Sequence, residues 1–304
     1  MTTPVTIEND SLEIEVWPSF GGKVASVVDK ADGCDLLFNY PAELPTRPLY
    51  DVPYAKSWYA GWDECFPSEA ACKYHGHPYD GIAIPDHGEL WGIPTTAVPT
   101  KNGITTVWQG LRFGYRLTRK LYLDGPSLKA EYTLINLAPF DLRFVWSPHA
   151  LLSMEAPVEL ALEGPPTFRW SHDGNGNDVQ RTFDWPLLEE GGDDDAPPAA
   201  DLSRPAKLPP RKAWKVFSTE PAARAAHVLY PTRGRSLRIE YASVDVPAYW
   251  SIWINTGGWA GHRHVALAPT TGRFDQLDRA VRDGSAAKAG PTGRCDWAMT
   301  WSVA

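Results

Sequence analysis

Four cysteines in 304 residues (Cys34, Cys65, Cys72 and Cys295) are too few and too scattered to form a disulfide framework, so reduced thiols are the default expectation. Positive charge is also scarce. Lys and Arg total 29 against 37 Asp and Glu, the net charge is −8, and no basic stripe is present that tracks phosphates. Nucleic acid and anionic membrane are therefore not expected as partners. No apolar run is long enough to span a bilayer, and the start, Met1 to Glu8, lacks a basic region followed by an apolar stretch, which predicts a cytoplasmic protein. Neither a Gly-x-Ser-x-Gly elbow nor a P-loop occurs, so nucleophilic catalysis and phosphate cradling find no motif.

What the chain has is aromatic and alternating. It carries 14 Trp and 12 Tyr in a 43% hydrophobic sequence, enough for a large core, and half or more of the indoles are expected there. The dominant period is two. Leu12, Ile14 and Val16 alternate with Glu13 and Glu15; Phe113, Tyr115, Leu117, Leu121 and Leu123 share a parity broken by Arg119; Leu128, Ala130, Tyr132 and Leu134 alternate with polar residues. Asp124-Gly125-Pro126-Ser127 between the last two runs predicts a hairpin. Trp297, Met299, Trp301 and Val303 predict a terminal strand built into a sheet. One short helix is expected after Asp275 as N-cap, with Leu277, Ala280 and Val281 on one face. Strands without long intervening helices argue for antiparallel sheets packed face to face. The acidic, Pro-rich segment at about 187–212 reads as a long loop with little to bury, and with no repeat or linker the whole of 1–304 reads as one domain.

Three segments carry the chemistry: Pro85-Asp86-His87-Gly88-Glu89-Leu90-Trp91, Trp146-Ser147-Pro148-His149-Ala150-Leu151-Leu152, and the strand His264 to Ala268 running into Pro269. Together they resemble the aldose 1-epimerases of the galactose mutarotase-like superfamily. The resemblance implies an all-β supersandwich of antiparallel sheets and an isomerase that interconverts sugar anomers. A base takes the anomeric hydroxyl proton while an acid protonates the ring oxygen, with no cofactor. It implies that His149 is the general acid and His87 a second proton donor or orienting group. Read without it, His149 is a hydrogen-bonded core histidine and His87 part of a solvated turn. The family strand ends in Glu-Pro, that Glu being the base; here the position is Ala268. A substitute then comes from Glu89, Asp275, Asp63 or Glu64. In Gly61-Trp62-Asp63-Glu64-Cys65, Trp62 is a candidate to stack beneath a sugar, with Asp63 or Glu64 on its hydroxyls, the alternative being an acidic turn with a buried Trp. Trp91 and Trp259 flank the motifs as further binding candidates. Trp250, Trp253 and Asn255 read as pocket wall or as core.

His75-Gly76-His77 and His262-Arg263-His264 are the metal candidates, but neither has compact four-ligand spacing, and surface histidines in Gly-rich loops are expected instead. The partner predicted is a small carbohydrate. The sugar, its phosphorylation and the oligomeric state are not legible. The rivals to an isomerase are a non-catalytic sugar-binding protein on the same fold and a different sugar reaction such as elimination, with His149 acting beside a Tyr.

Overall fold

The computed structural model describes residues 4–40, 49–164, 167–172, 178–189, 199–222 and 225–304. Alternating strands assemble into three large sheets in which every strand pair is antiparallel. The predicted hairpin forms, with Asp124 opposite Ser127 across the turn. The terminal strand Arg294–Val303 sits inside the eight-stranded sheet, between Ser127–Asn136 and Arg235–Ala242. A six-stranded sheet holds Lys23–Asp29, Trp62–Cys65 and Ser147–Ala150; a second one holds Thr167–His172, Ala213–Pro221, Tyr249–Thr256 and Arg263–Thr270. One apolar cluster runs through all three, from Ile7 to Val303.

Two expectations are corrected. The helix is Leu277–Asp283, capped at Gln276 rather than Asp275. Ser68 Oγ accepts the Leu277 N–H at 3.0 Å, and the Asp275 carboxylate turns away to meet Lys215 and His172. The ends of the 187–212 segment are also anchored. Leu187–Leu188 pairs with Ala200–Asp201, and Leu188, Leu202 and Leu208 are buried. Residues 190–198, with the acidic run Asp193 to Asp195, lie outside the described residues.

Candidate functional site

A cavity of about 260 Å³ opens between the two six-stranded sheets and takes its polar wall from both. From the sheet of Ser147–Ala150 comes His149, opposite Asp63 in the antiparallel register, so the two side chains share a face. Behind it runs a chain of contacts. Lys23 ion-pairs with Asp63, Asp63 accepts the Tyr54 hydroxyl at 2.7 Å, and Tyr54 lies 3.4 Å from His149 Nδ1. The Tyr54 hydroxyl has one hydrogen, already given to Asp63; toward His149 its oxygen acts as acceptor, which places the proton on Nδ1 and the lone pair on Nε2. Burial pushes the His149 pKa well below its ordinary value, and His87 and Lys215 push the same way.

His87 stands beside it, the two rings edge to face with centroids 4.8 Å apart. Its other face stacks on Tyr54 at 3.8 Å, and Nδ1 meets Asp86 at 2.9 Å. The turn that places it is strained: His87 has φ 58°, and Gly88 has φ 74° with any Cβ 2.2 Å from the Phe66 carbonyl oxygen. Burial pushes the Asp86 pKa up, but His87 outweighs it and the net shift is downward.

The other sheet supplies a cross-strand row on one face: His172 opposite Lys215, Lys215 opposite Trp253, Trp253 opposite Ala266. His172 joins the row because of a bulge. Trp170 pairs with Val216 and His172 with Lys215, which leaves Ser171 as the extra residue. Lys215 is buried and ion-pairs with Glu69 and, at 3.1 Å, with Asp275, whose second oxygen is 3.1 Å from His172 Nε2. Burial pushes the Asp275 pKa up, but Lys215 and then His172 outweigh it and hold the carboxyl well below the usual range. Backbone bonds tie these groups to the histidine wall: Glu69 and Ala70 N–H both donate to the Asp275 carbonyl at 2.9 Å, and His87 N–H donates to the Glu69 carbonyl at 2.8 Å.

The candidates from sequence separate accordingly. His87, His149, Asp275 and Trp259 line the cavity. Asp63 stands one residue back, behind Tyr54. Trp91 also lies behind the wall, 3% exposed, donating Nε1 to the Asp86 carbonyl. Trp62 is fully buried and stacks on Trp301, so no sugar reaches it. Glu64 is committed to the core, accepting from Arg119, Tyr132 and Trp146. Glu89 is likewise occupied, by Tyr50, Tyr115 and the Arg112 N–H, and does not line the cavity. His264, expected at the surface, is 1% exposed; its Nε2 accepts Trp253 Nε1 at 3.1 Å, and burial followed by His262 lowers its pKa to about 3. Among the described residues no group of three or more His, Cys, Asp or Glu is arranged to hold a metal. Sequence reasoning missed Tyr54, Glu69, His172 and Lys215. Lys215 had a signal, a lone cation in the apolar strand Ala213-Trp214-Lys215-Val216-Phe217. Ala268 lies two residues beyond Ala266 on the same face of the strand, opposite Ser251, but does not line the space.

This architecture is the galactose mutarotase-like fold. Slr1438 from Synechocystis sp. PCC 6803 superimposes with a TM-score of 0.72 at 15% identity, covering 100% of this chain and 96% of its own. A galactose mutarotase-like protein from Lactobacillus casei gives 0.71 at 15%, covering 99% and 100%. A galactose mutarotase related enzyme from Lactobacillus acidophilus gives 0.70 at 10%, covering 99% and 97%. No protein-family model and no curated protein matches the sequence.

Proposed function

We propose that the protein is a carbohydrate isomerase of the aldose 1-epimerase type in which the two cavity histidines divide the proton transfers. The observation that carries this reading is the His87–His149 pair, 4.8 Å apart on one wall. The anomeric carbon bears both the ring oxygen and the hydroxyl, so acid and base must meet a single carbon from neighbouring positions. His149 Nε2, its lone pair held outward by the Tyr54 contact, takes the hydroxyl proton. His87, held at Nδ1 by Asp86, gives a proton to the ring oxygen as the ring C–O bond breaks. Rotation about one bond and reclosure return both protons to where they began. These roles are the reverse of those the family resemblance implies for His149, and they do not need a carboxylate at position 268. The cavity volume lies below the roughly 300–1,000 Å³ of sites for drug-sized ligands, which suits one sugar ring.

Wild-type protein is expected to accelerate anomer interconversion of a monosaccharide, read by polarimetry or exchange NMR. His87→Asn and His149→Asn should each cost about 10²- to 10⁴-fold, and Ala268→Glu should change little. Ala268 itself favours a second reading, a sugar-binding protein without turnover. Tight binding of a hexose panel with no rate above buffer, or a large gain on Ala268→Glu, would replace the first reading with that one.

A further inference from the structure

We propose that the sugar this cavity selects is an amino sugar whose ammonium sits on Glu69. The inference rests on the carbohydrate reading above and adds the charge of the substrate.

Three carboxylates, Glu69, Asp86 and Asp275, line the cavity, and Lys215 is the one ammonium among the described lining residues. Lys215 is shared between Glu69 and Asp275, so neither carboxylate has that cation to itself. Of the four lining histidines, burial keeps His149 and His264 neutral, while His87 stands on Asp86 and His172 on Asp275, which leaves Glu69, among the described residues, with its share of Lys215. Glu69 is the incomplete member. The residue is 5% exposed, Oε1 takes Lys215, and Oε2 has no hydrogen-bond partner among the described residues. A buried ionised oxygen without a donor is costly, and the cavity is the space that Glu69 lines. An ammonium supplies charge and up to three N–H groups at once, where a hydroxyl supplies one O–H.

His87 N–H donates to the Glu69 carbonyl, so the two residues are held on adjoining segments of the cavity wall. By the same charge argument, a sugar with an anionic group on the ring enters against like charge and loses affinity.

The test is calorimetric titration of the wild-type protein near neutral pH with glucosamine, galactosamine and mannosamine, their parent hexoses, N-acetylglucosamine and glucuronate. At least one amino sugar should bind about tenfold or more tighter than its parent hexose. N-acetylation should erase that gain, glucuronate should bind weakest, and Glu69→Gln, checked for folding by circular dichroism, should bring amino sugar and parent hexose to equal affinity. Hexoses binding as well as amino sugars, or glucuronate binding tighter, would overturn the charge assignment and leave the carbohydrate reading standing. Silence from every sugar would overturn both.

Discussion

His264 illustrates how a single side chain takes its protonation state from its surroundings. Trp253 Nε1 donates its one proton to His264 Nε2 at 3.1 Å, and Nδ1 is buried without a hydrogen-bond partner among the described residues. The folded protein therefore keeps this imidazole neutral, with a pKa near 3 against 6.5 when free. A depressed folded pKa means that stability is fully present above about 6.5 and is lost as pH falls from there toward 3, because the unfolded chain binds the proton first. At roughly 1.4 kcal/mol per pH unit, His264 alone should cost about 2 kcal/mol between pH 6.5 and 5. Urea denaturation of wild type and His264→Asn at both pH values checks this. The difference between the two proteins should shrink by about that amount on acidification, and an unchanged difference would mean the imidazole is already protonated or solvated.

Among the elements, the strand Trp62–Cys65 shows why a charged residue at a core parity is informative. All four of its residues are buried, and Glu64 is satisfied by Arg119 at 2.9 Å, Tyr132 at 2.8 Å and Trp146 at 2.8 Å. Burial nevertheless pushes the Glu64 pKa up, with Arg119 pulling it back. Arg119 lies between the Trp62 and Trp108 rings, at the very position that interrupts the apolar parity of its strand. Arg119→Met should destabilise by about 3–5 kcal/mol, because it leaves a buried carboxylate without its counter-charge. Adding Glu64→Gln should recover much of the loss in the same denaturation assay, and no recovery would mean that packing of the guanidinium, not charge, is what matters. The bulge at Ser171 works at this scale too. Without it the strand would turn Ser171 toward Lys215 and carry His172 to the opposite face.

At the scale of the whole molecule, the last strand in sequence is an interior strand in space. Arg294–Val303 bonds to Ser127–Asn136 on one side and Arg235–Ala242 on the other, and Trp297, Met299 and Trp301 join the core that runs through all three sheets. A chain ending before Arg294 should lose the native fold rather than fray at one end, since two strand edges and a row of core side chains are exposed together. Loss of the sharp thermal transition in circular dichroism is the expected result; a cooperative transition within a few degrees of wild type would contradict it.

The sequence alone determined the strands, the hairpin at Asp124–Ser127, the buried terminal strand and the two histidine segments, because a period of two and a tight turn are local properties of the chain. It also placed Trp62, Glu64 and Glu89 near those segments in sequence, yet it had no means of saying that their partners are Trp301, Arg119 and Tyr115. Those contacts span 26 to 239 residues of chain, as do the bonds that bring Glu69 to Asp275 and Lys215. Which acids face the cavity and which are spent in the core is decided by strand order, by one bulge and by which donor arrives first, and only the tertiary structure contains those.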